Sequence, residues 1–212
     1  MTTDIITNDT LHLLYLGVFQ RYLARLLYRL FRADVWSVGQ TTEGARMSLS
    51  VLRLREELFA WYREQERQHP DKILNNVANL TNGMFVGLAC ELKGVETGAP
   101  FEFAVGLAER HRGAIEHGME LWRAGQALTS MLDLMRSEPW VMSADAQHKL
   151  IQLALRHLHV CHHAELPSIP TCHQLVHMCQ EAVFCVISPA STTRLWTKLG
   201  TDAWRGWLLV PT

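Results

Sequence analysis

Three groups of side chains in this sequence could do chemistry, and each has its own spacing. The first is Asp9 with His12, inside Asp9-Thr10-Leu11-His12-Leu13-Leu14-Tyr15-Leu16-Gly17. A carboxylate and an imidazole three positions apart share one face where a helix begins, within reach of one metal ion or of each other. Asp9 suits equally well a helix N-cap or first-turn acid, where the helix dipole favours negative charge.

The second group is His157, His159, Cys161, His162 and His163, followed by Cys172, His173, His177 and Cys179. His173 and His177 stand four apart, so a helix projects both imidazoles to one side. That spacing suits zinc or another transition metal, with Cys161 or Cys172 as a thiolate ligand. No C-x-x-C pair or zinc-finger spacing accompanies them, and the competing reading is a set of satisfied or solvent-facing histidines on two packed helices. The third group is the arginine row Arg21, Arg25, Arg29 and Arg32. Such a row could track DNA phosphates with salt-dependent affinity, or form a solvated helix face beside acids. The chain contains no G-x-x-x-x-G-K-[ST], G-x-G-x-x-G, G-x-S-x-G or H-E-x-x-H, so the common nucleotide-binding, hydrolase and zincin readings have no support.

The elements that must position these groups are helices. Leu16, Phe19, Leu23, Leu26, Leu27 and Leu30 recur at three- and four-residue steps, with the arginines opposite. A second amphipathic run, Met47 to Arg67, should stop near His69 because Pro70 disfavours helix in the residue before it. A third is expected from about Lys72 to Cys90, ending in the stretch Lys93-Gly94-Val95-Glu96-Thr97-Gly98. Pro100 suits the first turn of the next helix. Gly106, Gly113, Gly118 and Gly125 predict two helices meeting near Gly113 and reaching about Ser137. Ser143 is the expected N-cap of a helix to about His163, and a shorter helix should run from Thr171 to Val183. The reading is an all-α, irregular multi-helix bundle over 1–183, followed by an irregular tail over 184–212.

Composition agrees. With 48% hydrophobic residues in 212, the chain can bury enough surface to offset its ordering entropy, which excludes intrinsic disorder. Twenty Lys+Arg against twenty-one Asp+Glu leave a net charge of -1, which argues against a dedicated nucleic-acid coat. Cys90, Cys161, Cys172, Cys179 and Cys185 are an odd, scattered set rather than a secreted disulfide framework. The N-terminus has no signal-peptide pattern, and the apolar run Leu11 to Val18 is too short to span a bilayer. These features predict an intracellular protein, cytoplasmic or nuclear, with no membrane partner.

Three segments, in order, carry a resemblance. Asp9 through Gly17 resembles the D-x-M-H-x-L-x-L-G segment of CACTA-type (En/Spm-like) cut-and-paste DDE transposases and their relatives. Leu92-Lys93-Gly94-Val95-Glu96 is similar to their downstream L-K-x-x-D/E. Leu166-Pro167 through Pro170, with Cys172-His173 and His177-Met178, resembles their L-P-x-x-P-K-x-H-x-x-x-H, although Thr171-Cys172 stands where the family has its lysine. The match spans Asp9 to about Ala182.

The resemblance implies an RNase H-like nuclease core interrupted by a helical insertion, with two Mg²⁺ ions held between carboxylates. By position, Asp9 would be the second metal-binding acid, His12 would support it, and Glu96 would be the last acid. The fold draws its first acid from an upstream strand, and eight residues precede Asp9. The expectation is therefore a truncated, catalytically inactive relative that needs no cofactor, made mainly of the insertion region, with residual DNA binding through the arginine row. Reading Pro189–Trp204 from the third base of one permitted codon set gives GFYDTFVDEAWN. That resembles the G-x-P-x-x-Y-x-T-x-x-D-E-x-x-N ending of related proteins, and it predicts a frame slip near Phe184 to Pro189. The alternative is a helical metal-binding or protein-interaction module in which His173, His177 and Cys172 hold zinc.

Overall fold

A computed structural model describes residues 11–39, 42–71, 75–77, 80–81, 84, 90, 92–138, 142–164 and 170–180, with backbone alone for 11, 12, 95, 170–173 and 180. A π-helical segment, Leu11–Phe19, runs directly into α1 (Gln20–Arg32). Then follow α2 (Glu43–Gln68), α3 (Gly94–His111), α4 (Gly118–Ser137), α5 (Ala144–His163) and α6 (Pro170–Gln180). The described residues contain helices, turns and loops and no strand, so the protein is an all-α, multi-helix fold. No helix among them is long and apolar enough to cross a membrane.

Local sequence explains most boundaries. Thr42 caps α2 through its hydroxyl, which accepts from the Ala45 N–H, and the helix ends at His69, ahead of Pro70. Ser143 caps α5 in the same way, accepting from the Ala146 N–H at 3.2 Å. The break between α3 and α4 falls at 112–117, where His117 takes a left-handed conformation (φ 53°) before α4. In the π-helical segment the buried residues Leu13, Leu14, Val18 and Phe19 form pairs five apart, which the wider i→i+5 winding brings onto one face.

Two expectations fail. The stretch read as a third helix, Lys72 to Cys90, is non-helical at its described positions 75–77, 80, 81 and 90, and Met84 lies in a 3₁₀ turn. The stretch expected to end the third helix, Lys93 to Gly98, instead enters α3, which leaves Pro100, expected in a first turn, inside the helix. Packing supplies the reason. A Cβ on Gly98 would stand 3.2 Å from the Tyr15 ring, so this glycine lets α3 approach the π-helical segment. The Glu96 carboxylate accepts the Lys93 N–H at 3.3 Å and the Thr97 hydroxyl donates to the Lys93 carbonyl at 3.0 Å, holding the first turn.

The core lies where α3 meets α1, α4 and the π-helical segment. Phe19 stacks on Phe101 with centroids 4.3 Å apart, and Tyr22 meets Phe101 edge-on at 5.5 Å. Leu26, Leu30, Leu107, Leu121, Leu128 and Leu150 are fully enclosed. Each such leucine stabilises the fold by roughly 1.5–3 kcal/mol over its exposed state. Packing is most extensive between α4 and α5, and α6 lies against α5 and the π-helical segment.

Candidate functional site

The expected acids and bases do not gather at one described place. Asp9 lies outside the described residues, and His12 is described by its backbone in the π-helical segment. Glu96 is partly buried in the first turn of α3, bonded to the Lys93 N–H. Its other neighbour is Tyr62 of α2. Burial raises that phenol's pKa, the bond from the Val77 N–H opposes the rise, and the Glu96 charge adds to it. A carboxylate engaged with its own helix start stabilises α3. On its own it makes no two-ion centre.

The arginine row does not behave as one surface. Arg21 and Arg32 are exposed and Arg25 is partly buried. Burial first, then the charges of Arg21 and Arg29, lower the Arg25 pKa. Arg32 lies over the Tyr28 ring at 5.7 Å. Arg29 is a clamp: it donates to the Glu116 carbonyl at 2.9 Å, the Glu116 carboxylate at 3.2 Å and the Ala164 carbonyl at 3.0 Å. One guanidinium thus ties α1 to the turn before α4 and to the residue that ends α5. Its side chain is 14% exposed, so three of the four arginines are left to meet a partner.

The densest group of chemistry-bearing residues lies on α5, split between two faces. On the inner face His157 is buried, and its Nδ1 stands 3.1 Å from the Ala124 carbonyl oxygen of α4. A carbonyl can only accept, which puts the imidazole proton on Nδ1 and leaves Nε2 as an acceptor. The Cys161 sulfur, one helical turn on, lies against the ring, 3.4 Å from Nε2 and 3.9 Å from Nδ1. Burial pushes the His157 pKa down to about 4, against a smaller opposing effect of the Ala124 hydrogen bond. At neutral pH the ring is uncharged, bonded through Nδ1 to Ala124, and disfavoured as a proton acceptor because the imidazolium would be buried. A thiol–imidazole contact is present, and its surroundings quiet it as a nucleophile.

Tyr22 of α1 belongs to the same seam. Its hydroxyl is buried and makes no hydrogen bond among the described residues. Burial, with the nearby Cys161 thiol adding to it, raises its pKa far above the usual phenol range. It lies against Gly125 of α4, where a Cβ would come within 2.8 Å of Tyr22 Cζ and 2.9 Å of Val105 Cγ2. In the sequence Gly125 reads as a helix-breaking signal; in the fold it is the gap that admits a tyrosine.

On the outer face His159, His162 and His163 are exposed. The rings of His159 and His163 lie 4.5 Å apart between centroids at 82°, and those of His162 and His163 lie 6.0 Å apart. The pair His173 and His177 falls on α6 as expected, with His177 exposed, while the side chains of Cys172 and His173 lie outside the described residues. Among the described residues no three His, Cys, Asp or Glu side chains converge as a metal site. Sequence alone groups the α5 histidines without separating them by face; the spacing of His159 to His163, identical to that of His173 to His177, is the signal that sets this pair apart. No protein-family model matches the chain, and neither curated proteins nor solved structures give a match.

Proposed function

We propose that this chain is a mobile-element-derived relative of DDE-type transposases whose described helices correspond to the helical insertion region, and that it does not cleave DNA. The observation that carries the reading is where the three resembling segments fall. The first leads into the π-helical segment, the second opens α3 and the third opens α6, and the π-helical segment packs against both α3 and α6. Segments far apart in sequence thereby belong to elements that share one core. The lack of cleavage is inferred from the departure from the family pattern, Thr171-Cys172 standing where those enzymes have a lysine.

The test is a nicking and strand-transfer assay on supercoiled and end-labelled DNA with Mg²⁺ or Mn²⁺. No cleavage is expected. Metal-dependent cleavage abolished by Asp9→Ala would show an active nuclease and overturn this part of the proposal. Residual DNA binding falls to Arg21, Arg25 and Arg32, since Arg29 is bonded within the fold. Charge reversal at these three should weaken duplex binding and flatten its salt dependence; unchanged binding would remove DNA as a partner.

A second reading, a helical metal- or partner-binding module, is favoured by α6, which places His173 and His177 one turn apart with His177 exposed. Stoichiometric zinc in protein purified without a histidine tag, lost on His177→Ala, would favour it.

A further inference from the structure

We propose that His159 and His163 form a two-imidazole chelate for a borderline transition-metal dication, with copper(II) bound most tightly, on the exposed last turns of α5. The site is distinct from His173 and His177 and does not depend on the transposase reading. Residues four apart on a helix are surface neighbours, and the two rings already sit 4.5 Å apart, edge to face. Metal–imidazole bonds of about 2 Å require the two ligating nitrogens to stand about 3 Å apart. Both side chains are exposed, so the rings can turn about their χ angles to reach that spacing.

The surroundings choose the metal. Cys161 points to His157, which leaves the outer face without a thiolate. His162, although exposed, neighbours His163 at the longer separation of 6.0 Å. Two neutral nitrogen donors with open positions for water suit copper, nickel and zinc in the Irving–Williams order, and suit magnesium or calcium poorly. The same donors would not hold the Mg²⁺ pair of a nuclease. One feature opposes binding. The Arg29 guanidinium occupies the Ala164 carbonyl just beyond His163, so the helix C-terminus lends the ion little help, and the affinity comes from the imidazoles alone.

The experiment is titration of the full, untagged chain with CuCl₂ and ZnCl₂, followed by calorimetry and by electron paramagnetic resonance of the copper form. The expected result is one saturable site per chain, tighter for copper, with nitrogen hyperfine structure. His159→Ala and His163→Ala should each lose it, and the double variant His173→Ala/His177→Ala should keep it. Circular dichroism of the two single variants should match the wild type, since neither ring is buried. Absence of a saturable site in the wild type would overturn the proposal, as would retention in His159→Ala or His163→Ala. A loss in His162→Ala as large as in His163→Ala would replace the pair with another ligand set and overturn it too.

Discussion

His157 and His159 stand two residues apart on α5, and the helix gives them opposite chemistry. The first is enclosed, holds its single proton toward the Ala124 carbonyl and has a thiol against its ring. The second is exposed, with another imidazole as its nearest ring. Residue type is the same in both; what differs is whether water can solvate a positive charge. The inner face of α5 therefore serves the fold, and its outer face is free to meet ions.

Titration gives the largest way to break this contrast. In the unfolded chain His157 takes up a proton near 6.5, whereas in the fold it does so near 4. Between those values the unfolded state binds the extra proton, so stability rises with pH across the window and is lost as pH falls through it. The whole swing from this residue is about 3 kcal/mol. His157→Gln should flatten the dependence of the urea midpoint between pH 7 and 4.5. An unchanged slope would show that the ring is not held neutral by burial.

Next comes the seam beneath it. Gly125→Ala pushes a methyl against Tyr22 and Val105, and overpacking of this kind costs about 1–3 kcal/mol. Pairing it with Tyr22→Phe sharpens the test, because removing the hydroxyl relieves part of the clash. The cost of Gly125→Ala should be smaller in the Tyr22→Phe background, and strict additivity in denaturant unfolding would disprove the contact. Tyr22→Phe alone removes a buried hydroxyl that has no described partner. It should leave stability unchanged or raise it by about 1 kcal/mol. A clear loss would mean that the hydroxyl has a partner after all.

The same contrast explains what can be read from sequence. Boundaries fixed by local chemistry are legible: Ser143 capping α5, Pro70 ending α2, and the break around Gly113 all depend on residues within a turn of one another. Features fixed by distant partners are not. Gly98 reads as part of a helix-ending stretch until Tyr15, more than eighty positions away, is placed against it. Arg29 reads as one of four equivalent surface cations until its three acceptors come from Glu116 and Ala164. The amphipathic pattern from Lys72 to Cys90 imitates a helix that does not form at its described positions, although Val77, Leu80 and Cys90 are buried as the pattern implies. Apolar spacing reports the burial faithfully and misreports the backbone that delivers it. For the histidines, spacing shows which rings share a face, while only the neighbouring helices show which face is wet.

The smallest expected effect lies on that wet face. In metal-free buffer, His159→Ala and His163→Ala should each shift unfolding free energy by less than about 0.5 kcal/mol, as exposed substitutions away from caps and core usually do. The corresponding truncation His157→Ala removes a buried ring and strands the Ala124 carbonyl that it bonds, so it should cost several times more. Added copper should then separate the outer pair from everything else. An ion that binds only the folded chain raises stability in proportion to the logarithm of its concentration above Kd. The wild type should gain melting temperature with copper, while His159→Ala and His163→Ala should not. If His159→Ala destabilises the metal-free protein as much as His157→Ala does, the outer ring is part of the core and the division of α5 into two faces fails.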